Sequence, residues 1–116
     1  MSTGQFFRAA VRQLESFARR EFYLTSTPKG STTTNRKHLE QVKKTTGKEA
    51  PELDTGDPGP LFYLWPWYCE LSRSSPLTFA ELQAWGEMTN NHPSSFENEV
   101  LMRLDFINIQ EDRKSK

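Results

Sequence analysis

The sequence predicts an all-α protein, consisting of a small C-terminal three-helix unit and a tethered basic N-terminal helix. Three observations favour this fold class. Apolar residues recur at three- and four-residue steps in several segments, which is the spacing of one helix face. Two Ser/Thr-x-x-Glu sequences, at 78–81 and 94–97, are typical helix starts. Alternation of apolar and polar residues, which would indicate β-strands, does not stand out anywhere in the chain.

The composition limits the size and the class of the protein. The chain has 116 residues, 34% of them hydrophobic, and a mean hydropathy of -0.76, so one small domain with a modest core is expected. There is no apolar run of about 18 residues and no signal-peptide core, so neither a membrane span nor a leader is expected. A single cysteine, Cys69, excludes an internal disulfide and fits a reducing cytosol.

Residues 1–24 are predicted to form a basic amphipathic helix. Its apolar residues lie at three- and four-residue steps: Phe7, Val11, Leu14, Ala18 and Phe22. Four arginines form a basic arm on the rest of its surface: Arg8, Arg12, Arg19 and Arg20.

Residues 25–60 are predicted to be a linker. Its first part, 25–35, lacks apolar side chains and is rich in Thr, Ser, Pro and Gly. A short helix is expected near 36–46 and ends at Gly47, because glycine commonly terminates helices.

A helical domain is predicted over residues 61–110, followed by a charged tail over 111–116. Its first helix has five residues with helical spacing: Leu61, Leu64, Trp65, Tyr68 and Leu71. Pro66 in a helix interior would cost about 3 kcal/mol. We therefore expect the helix to begin near Leu64, with Pro66 in the first turn, where backbone N–H groups have no intrahelical partner.

Capping boxes mark the other two helices of this domain. Thr78 with Glu81, and Ser94 with Glu97, can each satisfy two free backbone N–H groups. The buried stripe of the first is expected at Phe79, Leu82 and Trp85. The buried stripe of the second is expected at Val100, Leu101, Leu104 and Ile107.

No catalytic residue, metal site or cofactor is predicted. His38 and His92 have no cysteine or carboxylate at ligand spacing. Cys69 lies in an aromatic cluster without a nearby basic partner, so it is expected to pack as a small apolar residue. No glycine-rich phosphate loop occurs.

The charges are divided unevenly along the chain. Residues 1–50 carry ten Lys/Arg and four Asp/Glu, and residues 51–116 carry five and eleven, so the two parts have charges of +6 and -6. The basic helix could bind nucleic acid, lie on a membrane surface or act as a targeting peptide. Glu15 and Glu21 weaken all three interpretations. The fourth interpretation is packing on the acidic half of this chain or of a partner.

Some apolar residues exceed what a small core can bury. If Trp65 and Tyr68 face the core, Trp67 and Phe62 point elsewhere, and the last helix has a second apolar face. Either the N-terminal helix covers this surplus or a protein partner does, and exposed apolar patches favour a partner. The residues expected to contact the partner are Phe62, Trp67, Met102, Phe106 and Ile109.

Four segments resemble a family of small tailed-bacteriophage proteins, the tail assembly chaperones. They are RKHLEQVKKTTGKEAPEL at 36–53, LWPWYCEL at 64–71, PLTFAELQAW at 76–85 and FENEVLMRLD at 96–105. Their order and spacing together are similar to those of the family. The resemblance implies a non-enzymatic protein of the host cytoplasm that binds the helical tape-measure protein, tail tube subunits, or both. The alternative is a small regulatory protein that binds nucleic acid through its basic N-terminal half.

Overall fold

The computed structural model describes residues 3–71 and 76–114, and in these ranges it consists of helices and connecting segments without a strand. The prediction of an all-α fold is therefore confirmed. The helices are α1 (Thr3–Thr25), α2 (Asn35–Thr46), α3 (Leu64–Leu71), α4 (Phe79–Thr89) and α5 (Ser95–Lys114), with a 3₁₀ turn over Pro51–Leu53.

The most extensive helix pair is formed by α1 and α5. The α1 residues in the main core cluster are Ala10, Leu14, Phe17 and Ala18. They pack with Leu64, Tyr68 and Leu71 of α3 and with Val100, Leu101 and Leu104 of α5. The sequence left open whether α1 covers surplus apolar surface of this chain. It does so along this face, although it leaves Phe106 of α5 62% exposed.

Polar contacts connect α2 to the end of α1. The Thr34 hydroxyl accepts from the Lys37 N–H at 3.3 Å, and Gly47 ends the helix in the left-handed region with φ 74°. The Asn35 amide donates to the Tyr23 carbonyl at 2.7 Å. No residue of α2 is buried, so this helix adds little to the core.

Pro66 lies in the first turn of α3, as its chemistry requires. A tight turn leads into the helix, in which Leu64 N–H donates to the Leu61 carbonyl at 3.0 Å and Trp65 N–H to the Phe62 carbonyl at 2.9 Å. Because Pro66 follows these two bonds directly, its missing N–H removes no bond from the helix interior.

Side-chain caps fix the starts of α4 and α5. The Glu81 N–H donates to the Thr78 hydroxyl at 3.2 Å. At α5 the box is reciprocal, because the Glu97 N–H donates to the Ser94 hydroxyl at 3.2 Å and the Ser94 N–H donates to the Glu97 carboxylate at 2.8 Å. α4 ends at Asn90, which has a φ of 57°.

Two core assignments from the sequence are wrong. Phe79 is 67% exposed, because the buried positions of α4 are Leu82 and Gly86 and Phe79 lies a turn before the covered stretch. Cys69 is exposed, because α3 turns Tyr68, its neighbour in sequence, toward the core instead.

One buried acidic residue connects three elements. Asp105 of α5 is 3% exposed and accepts from the Tyr68 hydroxyl and from the Leu77 N–H, both at 2.8 Å. The Asn108 amide donates to the same Tyr68 oxygen at 3.0 Å. Burial, and then the hydrogen bond to Asp105, raise the pKa of Tyr68. Both carboxylate oxygens of Asp105 are thus satisfied inside the core.

Candidate partner-binding site

The outer face of α5 carries three of the five residues expected to contact a partner. Met102, Phe106 and Ile109 lie four and three residues apart, so they share one side of the helix. Phe106 is 62% exposed, whereas Met102 and Ile109 are half-buried. The exposure of a phenylalanine ring in the middle of a long helix distinguishes this face from the core side of α5.

Met102 and Phe106 line a surface depression of about 450 Å³ between α5 and α1. We call it the Phe106 end of the α1–α5 groove. Its other lining residues are one apolar and four charged: Ile107, Glu15, Arg19, Glu99 and Arg103.

A second depression, of about 360 Å³, lies further along the same two helices. We call it the Phe7 end of the groove. Its apolar part is formed by Phe7, Val11, Phe96 and Val100, and its charged part by Arg8, Arg12, Glu99 and Arg103. The Phe7 and Phe96 rings lie 5.1 Å apart between centroids. The two depressions share Glu99 and Arg103, so they are consecutive parts of one groove.

An ion pair separates the two ends. The Arg103 Nε donates to the Glu15 carboxylate at 2.6 Å, and this hydrogen bond raises the pKa of Arg103. Arg19 is also paired, because its guanidinium lies 3.7 Å from Glu111 and 3.4 Å from the Gln110 side-chain oxygen.

The basic arm predicted from the sequence is therefore not a uniform cationic surface. Arg8, Arg12 and Arg19 lie on one side of α1, but Glu15 lies on the same side. Arg20 is half-buried on another side. Within residues 3–71 and 76–114, Arg8, Arg12 and Arg20 form no ion pair, and two of these three, Arg8 and Arg12, lie at the Phe7 end.

Phe62 and Trp67, the other two expected contact residues, lie outside the groove. The Phe62 ring packs on Phe17, with 5.7 Å between centroids. Phe17 is two residues from both Glu15 and Arg19, so it faces the opposite side of α1. Trp67 is half-buried and packs on Trp85 at 5.5 Å and on Tyr63 at 5.6 Å. The five residues thus do not form one surface.

Sequence reasoning missed the Phe7 end of the groove. It placed Phe7 and Val11 on the apolar face of the N-terminal helix, and in the structure Phe7 is 40% exposed and Val11 is half-buried. The approach of Phe96 of α5 creates this end, and no local pattern specifies which two helices meet. One signal in the sequence was available. Arg8 and Arg12 lie close to Phe7, and because arginines are rarely buried in a core, their presence indicates that Phe7 is near the surface.

The remaining polar side chains have local roles. His38 is exposed and hydrogen-bonds the Ser31 hydroxyl at 3.0 Å. Partial desolvation of the thiol and the nearby Glu21 carboxylate raise the pKa of Cys69, which keeps it protonated at neutral pH. In the described ranges, no group of three or more His, Cys, Asp or Glu residues is placed to hold a metal ion. No helix there combines the length and the hydropathy needed to cross a membrane.

Comparison with known proteins gives one family match. The model of a family described as phage tail assembly chaperone matches residues 42–109, more than half of the chain. The matched segment contains α3, α4 and nearly all of the apolar part of α5, and α1 lies outside it. No curated protein and no solved structure matches the chain.

Proposed function

This chain belongs to the phage tail assembly chaperone family, and we propose that it binds an apolar helical segment of a tail protein and protects it until assembly. The proposed clients are the tape-measure protein, the tail tube subunits, or both. The proposed place of action is the cytoplasm of the infected bacterium, and the proposed role is non-enzymatic.

The exposed ring of Phe106 is the observation that supports this proposal most directly. It lies within the segment matched to the family, and it projects beside half-buried Met102 into a depression between two helices. A groove of this kind can accept the apolar stripe of a third helix, with side chains three, four and seven residues apart as anchors. A long apolar helix that is still unassembled would otherwise aggregate, so such a groove suits a chaperone.

Nucleic-acid binding through the basic N-terminal half has less support. Glu15 lies between Arg12 and Arg19 on the same side of α1, and Glu99 lines both ends of the groove. Glu99 would repel a phosphate backbone that runs along the groove, and Glu15 with its partner Arg103 interrupts the row of arginines.

The test is co-purification with tape-measure and tail tube proteins of the phage that encodes the chain. Phe106→Ala should reduce client capture at least about tenfold, since aromatic residues at interface centres often contribute 2 kcal/mol or more, or roughly a factor of 30. Its melting temperature should stay close to that of the wild type, because the ring is 62% exposed.

Phe79→Ala is the matched control. Phe79 is a phenylalanine of similar exposure, 67%, at the start of α4 and outside the groove. It should leave capture unchanged. If both variants capture clients as well as the wild type does, the outer face of α5 is not the client site.

A further inference from the structure

We propose that the Phe7 end of the α1–α5 groove selects a partner helix whose apolar stripe is flanked by carboxylates. This inference rests on the proposed function and specifies the chemistry of the client. It uses α1, which lies outside the segment matched to the family. The feature that carries it is an apolar floor bordered by two arginines that have no ion-pair partner among the described residues.

The charges at this end favour an anionic partner. Arg8 and Arg12 are exposed and lie one helical turn apart on α1, where both line the depression. Arg103, the third arginine, is already neutralised by Glu15 at 2.6 Å. Among the described residues, Glu99 is the one carboxylate that lines this end, so two unpaired cations remain against one anion. A carboxylate brought to Arg8 and Arg12 would gain charge-assisted hydrogen bonds that guanidinium groups are shaped to make.

The floor of the depression favours a helix over other anionic ligands. Phe7 and Phe96 pack ring against ring at 5.1 Å, and Val11 and Val100 lie beside them. A partner can bury an apolar side chain there, and a phosphodiester backbone has no such group. Glu99, which lines both ends, would also repel a nucleic acid or an anionic membrane that ran along the whole groove. An amphipathic helix can bury its stripe between the arginines and turn its carboxylates toward them.

The spacing of the two ends defines the register of the partner. Phe96 and Phe106 are ten residues apart on α5, which corresponds to about 15 Å along the helix axis. The Arg103–Glu15 ion pair lies between them. A partner helix aligned with α5 would therefore carry two apolar anchors about three turns apart, with acidic residues beside the anchor that enters the Phe7 end.

Synthetic peptides test the selection directly. Two fluorescein-labelled helical peptides of about 18 residues share one Leu/Phe stripe, and their flanking positions are all Glu in one and all Lys in the other. Fluorescence anisotropy gives the Kd of each peptide for the full chain at low and high salt. The Glu peptide should bind at least about tenfold tighter than the Lys peptide, equivalent to about 1.4 kcal/mol, and the difference should shrink at high salt.

A double charge reversal should invert this preference. Arg8→Glu/Arg12→Glu should bind the Lys peptide at least about tenfold tighter than the Glu peptide, and circular dichroism should show unchanged helix content. The milder pair Arg8→Gln/Arg12→Gln should abolish the preference without inverting it, and it replaces the reversal if that variant fails to fold. Lys37→Glu/Lys44→Glu is the matched control. It makes the same change in net charge on exposed residues of α2, and it should keep the wild-type preference.

Several outcomes would overturn the proposal. Equal affinity of both peptides would do so, as would a preference that survives the Arg8/Arg12 changes. If light scattering shows a dimer that Arg8→Glu/Arg12→Glu dissociates, the groove belongs to a second copy of this chain. If duplex DNA displaces the peptide from the wild type, the arginines bind nucleic acid instead of a partner helix. Loss of client capture in Phe106→Ala together with no peptide preference would leave the proposed function standing and remove only this inference.

Discussion

Asp105 shows how one side chain can determine the position of three parts of a small helical protein. Its two carboxylate oxygens accept from Tyr68 of α3 and from the backbone of Leu77, just before α4, each at 2.8 Å. A buried carboxylate is costly unless its hydrogen bonds are complete, so alternative packings of these helices that break either bond are disfavoured. Asp105 therefore contributes to the uniqueness of the fold, in addition to its contribution to stability.

Removing the Tyr68 hydroxyl tests this role. Tyr68→Phe leaves one oxygen of Asp105 and the Asn108 amide without their present partner, so the free energy of unfolding should fall by about 1–3 kcal/mol. Urea unfolding followed by circular dichroism measures it. Tyr23→Phe removes a hydroxyl from an exposed ring and serves as the control. Equal stability of the Tyr68→Phe variant and the wild type would contradict the role given to Asp105.

Glu97 should make the free energy of unfolding depend on pH in the acid range. Burial alone would raise the pKa of Glu97, but hydrogen bonds from Ser94 and from the Tyr63 hydroxyl outweigh it and lower the pKa below its ordinary value of 4.5. A carboxyl whose pKa is lowered by folding contributes stability above pH 4.5, and this contribution is lost as the pH falls through the folded-state value. The same contact, after burial, raises the pKa of Tyr63 to about 12.

Glu97→Gln should therefore be less stable than the wild type at neutral pH, and the gap should close as the pH falls below about 4.5. Urea unfolding at a series of pH values measures this gap. Glu99→Gln, one charge fewer at an exposed position of the same helix, corrects for the general effect of net charge. A gap that stays constant across the acid range would mean that the Glu97 charge does not support the start of α5.

The helix α1 contributes a large share of the core. Leu14 is fully buried, and Ala10, Phe17 and Ala18 accompany it in the cluster formed with α3 and α5. The ion pairs of α1 with α5 contribute little, because their arginines are exposed and pairs at the surface give about 0–1 kcal/mol each. Apolar packing, much more than charge attraction, therefore holds α1 in place.

Leu14→Ala should lower the free energy of unfolding by about 2–5 kcal/mol, the range for truncating a buried leucine. The melting temperature and the urea midpoint measure it. Val42→Ala on α2 is the control, because Val42 is 48% exposed and should change stability by less than about 0.5 kcal/mol. A small effect at Leu14 would mean that α1 is only tethered and does not belong to the core.

What the sequence predicted well at this scale was local. The capping box of Ser94 and Glu97, the cap from the Thr78 hydroxyl and the start of α3 at Leu64 each depend on residues within four positions of one another. What it did not predict depends on which helices meet. The helical spacing predicted that Trp65 faces the core and that Trp67 does not. In the structure both are half-buried. Trp85 of α4 covers Trp67, and two rings of α1, Phe17 and Phe22, cover Trp65.

The candidate site also has one part that local sequence predicted and one part that depends on which helices meet. The outer face of α5, with Met102 and Phe106, followed from a second apolar stripe on one helix. The Phe7 end required the contact between Phe7 and Phe96, which are 89 positions apart, and no periodicity contains that information.

On the scale of the whole molecule, stability is expected to be uneven. α1 and α5 share the core, whereas α2 has no buried residue and is connected through its caps and the ion pair of Arg36 with Glu21 at 2.9 Å. The ion pairs between residues 1–50, with a charge of +6, and residues 51–116, with a charge of -6, do not all follow these net charges. Arg19 and Glu111 match the overall sign, but Arg103 and Glu15 pair in the opposite sense.

Amide hydrogen exchange should reveal this gradient. Backbone amides in the middle of α2 should exchange at least about tenfold faster than those near Leu101 and Leu104, because local opening of α2 exposes little apolar surface. Mass spectrometry of peptic fragments measures both in one sample. Equal protection of α2 and α5 would show that the molecule opens only as a unit.

The bonds that Asp105 makes have a consequence for engineering. Tyr68 precedes residues 72–75 and Leu77 follows them, and both donate a hydrogen bond to the Asp105 carboxylate. Because the two anchor points are held by α5 and not by the length of chain between them, that junction should accept added residues while the helices keep their places. It is therefore a suitable place to introduce an affinity tag.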